Sequence, residues 1–359
     1  MDANAPANRT AYFLIANILV LLTIVYAFVL ESSFPDFYYA SIQEDEYIEW
    51  ASFWVFLLAA VAAIVASRDY RSNAHRLPWF YYGLALFCFV VAMEEISWGQ
   101  RVLGYRPPVY FLEHNFQQEF NFHNVIDTDY RKLALSATIA GYGVLLPLLA
   151  LVRPLRSLVE RVGIVAPPLG LLPLFAATFL MYVIYPFSHS GEWVELMLGL
   201  GMLFALLPTR LRPMLIGWTI VMALGLISGA ATRMQRDAHP ATMEAAQAEI
   251  EAIKRDFESG RATSRCSLHK RLYSFVVKYE QFGLQNGEFA SLTSQGMPEE
   301  RAEFLLDPWN SPYWVRDRCN RKTQTRVFFV YSYGPNRRRD STETEIRGDD
   351  VGAYISLRR

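Results

Sequence analysis

Residues 214–257 read MLIGWTIVMALGLISGAATRMQRDAHPATMEAAQAEIEAIKRDF, with no charge up to Thr232 and nine charged side chains after it. A membrane span needs roughly 20 mostly apolar residues to cross a hydrocarbon core about 30 Å thick, and the first part of this stretch meets that requirement. The second part repeats Met243, Ala246, Ile250, Ile253 and Phe257 at three- and four-residue intervals, the spacing of an amphipathic helix in water, which Gly260 closes. The junction near residue 233 therefore separates two solvents.

Composition on either side agrees. Residues 1–234 hold 14 basic and 17 acidic side chains, about 13% of the segment, whereas 235–359 hold 20 and 18, about 30%. The mean hydropathy of +0.13 over all 359 residues is an average of these two chemistries. A net charge of −1 gives no electrostatic basis for nucleic-acid binding, which draws on a basic excess to neutralise phosphates.

Working back from the junction, hydropathy predicts seven spans, near 11–30, 48–67, 77–97, 133–152, 168–187, 193–208 and 213–233. The sixth is the shortest and begins at Trp193–Glu195. The first is too long for a signal-peptide core and no small-x-small cleavage site follows, so it reads as a retained helix. Arginines follow spans two, four and six (Arg68, Arg71, Arg76; Arg153, Arg156, Arg161; Arg210, Arg212), while the other side has Arg101, Arg106, Arg131 and Lys132 together with Glu31, Asp36, Glu44, Asp45, Glu46 and Glu49. The positive-inside rule then predicts a cytoplasmic N-terminus and residues 234–359 outside, in the periplasm of a bacterial cell. Cys88 falls within span three, and Cys266 and Cys319 fall in the exported half, where they form a bridge or remain two free thiols. A bridge closing so long a loop contributes roughly 4 kcal/mol on the chain-entropy model.

Span three ends in AMEEISWGQ, placing Glu94, Glu95, Ser97 and Gln100 at the outer interface. Ionisable groups at that depth are functional candidates. The next outer segment, EHNFQQEFNFHN, alternates Asn115, Gln117, Glu119, Asn121 and His123 with Phe116, Phe120 and Phe122. Period two suggests an extended segment on the bilayer; the competing reading is a short interfacial helix with Glu119 and His123 at i and i+4. His114, Asp127, and His189, Glu192 and Glu195 before and within span six complete the cluster. Such residues suit a zinc ion that activates water in a hydrolase, a hydrogen-bonded plug or small-ligand pocket, or an ion or proton path. No HExxH, GxSxG or paired-cysteine motif selects among them.

In the exported half, a second helix is predicted over about 267–282 from Leu268, Leu272, Phe275, Val276 and Tyr279. Short strands are expected at Tyr313–Arg316, Arg326–Tyr333 and near Val351–Ile355.

Two resemblances attach to these residues. EEISWGQ and HNFQQEFNFHN are similar to the EExSWGQ and NxQxExNxHN blocks of an uncharacterised family of bacterial multi-pass membrane proteins, over most of 40–230. A more distant likeness is to seven-span hydrolases of the ceramidase kind, although the histidines here sit in loops. DPWNSPYWV, VYSYGPN and the closing GDDVGAYI resemble the C-terminal domain of the major pseudopilin of type II secretion, over about 307–355. That resemblance implies an α+β domain and a calcium-binding loop, carried onto Asp349 and Asp350 with Asp340 as an added ligand, and partners among envelope or secretion proteins. Asn336 and Arg337–Arg339 depart from the family's acidic and glycine-rich pattern; the alternative is a surface loop in which these arginines pair with Asp340, Glu343 and Glu345. The prepilin-peptidase start is also missing ahead of span seven, so the chain is expected not to polymerise.

The sequence thus predicts an α-helical membrane bundle of about seven spans (1–233), a helical connector (234–265) and an exported pseudopilin-like α+β domain (266–359). The expected function is an inner-membrane binding or assembly module of the envelope, the alternative a membrane-embedded metal-dependent hydrolase.

Overall fold

The computed structural model describes residues 5–74, 77–115, 117–234, 239–259, 268–279, 296–320, 322–323 and 325–356. The chain forms two compact units, Met1–Trp98 with Ile126–Thr232, and Gly99–Val125 with Arg233–Arg359. The boundary at Thr232 matches the expected one. The outer segment 99–125, however, belongs to the C-terminal unit rather than to the membrane domain in which the sequence placed it.

The first unit contains helices α1 (Ala5–Ser33), α2 (Tyr47–Ala74), α3 (Trp79–Glu95), α4 (Thr128–Leu149), α5 (Leu172–Ile184), α6 (Ser190–Leu206) and α7 (Leu211–Met234). Four segments are long and apolar enough to cross a membrane: Asn8–Ser33, Tyr47–Ser72, Thr128–Leu149 and Leu211–Thr232. Seven spans are therefore not supported. Glu94 and Glu95 end α3, Glu192 and Glu195 open α6, and the left-handed Tyr185 followed by Pro186 stops α5. The class that stands is a mostly helical membrane-type protein with a small C-terminal sheet.

The weakest span by sequence, α6, is the core of its unit. Trp193, Met197, Leu198, Leu200, Leu203 and Phe204 are buried around its whole circumference, as an all-apolar helix requires. It packs so closely on α2 that a Cβ at Gly199 would sit 2.2 Å from Val55 Cγ1. Tyr12 on α1 donates a 2.5 Å hydrogen bond to the Phe204 carbonyl. By contrast Leu21, Leu22 and Phe28 on α1 and Ile216, Leu226 and Ile227 on α7 are exposed, the outward apolar surface of a membrane bundle. Within α4, Thr138–Leu145 widens to a π-helix. Pro147 follows it and has no N–H to return to the Gly143 carbonyl, so the wider turn accommodates the ring.

The second unit is built on a four-stranded antiparallel sheet, β1 (Leu268–Arg271), β2 (Trp314–Asn320), β3 (Thr325–Ser332) and β4 (Val351–Tyr354), in that spatial order. The predicted helix over 267–282 is thus a strand followed by the shorter α9 (Leu272–Tyr279). One sheet face, with Val315, Phe328, Val330, Val351 and Ala353, packs on Ala246, Ile250, Ile253 and Phe257 of α8 (Pro240–Ser259). The expected connector helix is therefore part of the sheet's own core. The other face carries Trp314, Phe329 and Tyr331, with Ile346 of the following loop packed on them. The 99–125 segment joins this unit through Leu112, which clusters with Phe304 and Leu306.

Of the cysteines, Cys88 is free and buried. Cys319 lies on β2, while Cys266, its expected partner, lies outside the described residues.

Candidate functional site

The sequence gathered the polar residues of EEISWGQ, HNFQQEFNFHN and 188–195 into one cluster. The structure distributes them over two units, as carboxylates in one and mainly as a loop of amides in the other.

In the membrane unit, Glu49 at the start of α2 and Glu192 and Glu195 at the start of α6 lie in electrostatic range of Glu95 at the end of α3, where Glu94 precedes it. The charges acting on Glu95 come from Glu195, Glu192 and Glu94, and Glu49 is in range of Asp45, Glu192 and Glu95. One cation, Arg131 of α4, acts on Glu195. The first-turn positions of Glu49 and Glu192 place them at positive helix ends, which offsets part of the repulsion. Chain reversal after α3 uses left-handed backbone at both Ser97 (φ 45°) and Trp98 (φ 54°), unusual for residues other than glycine. Trp98 Nε1 donates to Glu94 Oε1 at 2.7 Å, fixing that carboxylate. His189 is also left-handed and packs edge-on to Tyr39. Asp127 caps α4, accepting from the Asp129 amide at 2.9 Å, a structural role. Glu49 was missed by sequence reading because it was counted only among the acids that set orientation.

In the second unit, the 115–124 segment is neither an extended strand nor a helix but a run of turns closed on itself. Asn115, wholly buried, donates to the Glu119 carbonyl at 2.7 Å and to Asn121 Oδ1 at 2.8 Å, and accepts from the Gln117 amide at 2.7 Å. Asn121 donates to Glu119 Oε2 at 3.3 Å, and Asn124 to Gln117 Oε1. Gln100 accepts from the Phe120 amide at 2.7 Å. Gln118, not singled out from sequence, donates to the carbonyls of Leu112 and Phe304 at 3.2 Å each. Apart from Gln118 Oε1, which is buried with no hydrogen-bond partner, these amides pair with one another and with the backbone. His114 is exposed and stacks on Tyr110, and His123 is half-buried on the same segment.

Among the described residues, Asp340, Asp349 and Asp350 are the one group of His, Cys, Asp or Glu whose ligand atoms converge, all within 4.8 Å. They lie on a strap, residues 334–350, between β3 and β4. Gly348 is left-handed (φ 66°), and a Cβ there would meet the Asp340 side chain at 2.3 Å, so only glycine lets the strap fold. Asn336 donates to Asp340 Oδ2 at 2.9 Å and to Asp349 Oδ1, and Arg338 Nε pairs with Asp340 Oδ1 at 3.2 Å. Asp350 accepts from the Ser341 amide at 2.8 Å, and burial pushes its carboxyl up to about 7. Three carboxylates form an all-oxygen set suited to a hard cation, with the neutral Asn336 amide donating to two of them and Arg338 supplying the positive partner. Of the three arginines expected to pair locally, Arg338 does so.

Two blocks quoted from the sequence meet here. Asp307 of DPWNSPY accepts from the amides of Trp309 (3.0 Å) and Ser311 (2.8 Å) and from the Ser332 hydroxyl of VYSYG (2.5 Å). Burial nonetheless pushes its carboxyl up to about 7.

No family model, curated protein or solved structure shows significant similarity to the chain. The functional argument therefore rests on the geometry of these residues.

Proposed function

We propose that the chain is a bacterial inner-membrane protein, N-terminus in the cytoplasm, whose C-terminal α+β unit serves in the periplasm as a calcium-dependent binding module for other envelope or secretion proteins. The convergence of Asp340, Asp349 and Asp350 on one glycine-shaped strap carries this reading. The contact between Asp307 and Ser332 supports the likeness to pseudopilin, since it ties together the two sequence blocks on which that likeness was drawn. Calcium held by these carboxylates would replace the pairing by Asn336 and Arg338 and stiffen the strap that closes the sheet. A second reading for the membrane unit, a metal-dependent hydrolase, draws on the like charges of Glu49, Glu95, Glu192 and Glu195, although among the described residues their ligand atoms do not converge as those of the three aspartates do.

Calcium titration of the full chain in detergent tests the first reading. Saturable heat and a rise in melting temperature are expected, and calcium about a hundredfold above Kd adds ~2.7 kcal/mol of stability. Asp349→Asn should weaken binding at least about tenfold. Neither heat nor a melting shift at millimolar calcium would remove the site.

A further inference from the structure

The outward face of the C-terminal sheet has a charge arrangement that the calcium reading leaves unused. Alternation along β2 puts Trp314, Arg316 and Arg318 on the face opposite α8. Arg316 lies between His269 of β1 and Phe329 of β3 in register. His269 stacks on Trp314 (ring centroids 5.0 Å apart) and shares a 2.9 Å hydrogen bond with the Tyr331 hydroxyl, and Trp314 stacks on Tyr333 at 5.1 Å. Ile346 of the strap packs on this aromatic shelf, and Arg339 of the strap lies in electrostatic range of His269.

Arg316 is the anomaly. The residue is 2% exposed, yet among the described residues its side chain makes one hydrogen bond, a long one from Nη1 to the Thr342 carbonyl at 3.3 Å, and its Nε is buried without a partner. Arg316, Arg318 and Arg339 all act on His269, which with burial holds that imidazole down at about 3 and hence neutral. Facing these three cations is Glu343, whose Oε1 lies 2.6 Å from Arg318 Nη2 and whose side chain is mostly exposed. A buried guanidinium without a full set of acceptors costs several kcal/mol. Its fork geometry suits two oxygens of one anion.

We propose that this face binds a phosphate group, cradled by Arg316 with Arg318 and Arg339 and bordered by the His269–Trp314–Tyr333 stack. A phosphate oxygen matches the Arg316 fork, whose Nε is buried without a partner, beside Arg318, which is shared with Glu343. The inference goes beyond the calcium reading, because it rests on side chains of β1 and β2 outside the triad and its ligand is of opposite charge. The phosphate belongs either to a soluble molecule or to a phospholipid headgroup, both chemically equivalent at the arginine fork.

Inorganic phosphate is the probe, titrated into the full chain in phosphatidylcholine nanodiscs and followed by phosphorus NMR line broadening. Saturable broadening is expected, weakened at least about tenfold in Arg316→Gln and in Arg339→Gln and unchanged in Arg347→Gln, whose partner is the exposed Glu345. Nanodiscs containing phosphatidylglycerol separate the sources. Phosphate binding that persists there assigns a soluble ligand, and binding competed away there assigns a headgroup. Arg316→Met supplies a second readout: without phosphate its melting temperature should be at or above that of the parent chain, and phosphate should no longer raise it. The proposal is overturned if inorganic phosphate does not bind at millimolar concentration in phosphatidylcholine discs, or if binding survives both glutamine variants.

Discussion

The polar loop around Asn115 and the carboxylates around Glu95 were one cluster in the sequence, and they solve the problem of buried polarity in opposite ways. In the loop, each donor of Asn115 meets an acceptor and its oxygen meets an amide, so that side chain is complete without a ligand. Around Glu95 the neighbours are Glu94, Glu192 and Glu195, groups of the same sign. Amides complement one another, whereas carboxylates do so only through a proton or a cation. A residue that is self-satisfied is held by selection for fold, and one facing its own kind is a candidate for ligand chemistry.

The largest effect that separates the two is on the loop. Asn115→Ala strands the Gln117 amide, the Glu119 carbonyl and Asn121 in a buried site, and at about 1–3 kcal/mol per unsatisfied group the expected loss is at least ~3 kcal/mol. Chemical denaturation of the full chain followed by Trp fluorescence reads it. A variant as stable as the parent would show that water reaches the loop, and would break the contrast at its stronger end.

Asp307 sharpens the comparison, because it is a carboxylate in the self-satisfied style, with three donors around it. Its folded pKa is raised to about 7 from an ordinary 3.8, so the folded state keeps a proton that the unfolded chain releases. The stabilisation is complete below about pH 4 and is lost as pH rises through 7, on the order of a few kcal/mol in all. His269 runs the other way, its depressed pKa weakening the fold as pH falls from 6.5 towards 3. The two trends overlap, so the difference between the parent chain and Asp307→Asn is the quantity to measure. The stability of the parent relative to the variant should rise steadily from pH 7 to pH 4 if the parent gains stability from the held proton while the variant does not, and a relative stability that stays flat means that Asp307 is charged in the fold.

How far these features were legible depends on the range of the interactions behind them. Apolar runs such as 214–232 declare themselves locally, and so did the strand at Arg326–Tyr333. Leu268, Leu272, Phe275 and Val276 are spaced for a helix, yet the first of them sits in a strand because β1 pairs with β2, far along the chain. Ser190–Leu206 looked too short and too acidic at its start, and only the packing of α2 and α5 around it shows why it needs no lipid. Amide types in the 115–124 segment signalled a plug, but Gln118 reaching Phe304 is beyond any local pattern. Arg316 had no signal at all apart from strand alternation. Its burial comes from a strap that returns from β3 over the sheet.

The smallest effect decides what the membrane carboxylates are for. Glu95→Gln removes one of several like charges and keeps the shape, so in metal-free detergent the chain should gain on the order of 1 kcal/mol, the size of one such repulsion in a partly solvated site. Glu195→Gln should gain less, because it also gives up the attraction of Arg131. If a cation balances the group in the purified protein, the sign reverses: glutamine is a poorer ligand, stability falls, and the metal content measured by mass spectrometry falls with it. Stoichiometric zinc lost in Glu95→Gln would support the hydrolase reading. A loss of stability with no change in metal content would place Glu95 with Asn115 among the groups that complete the fold, and the distinction between the two regions would then fail at its weaker end.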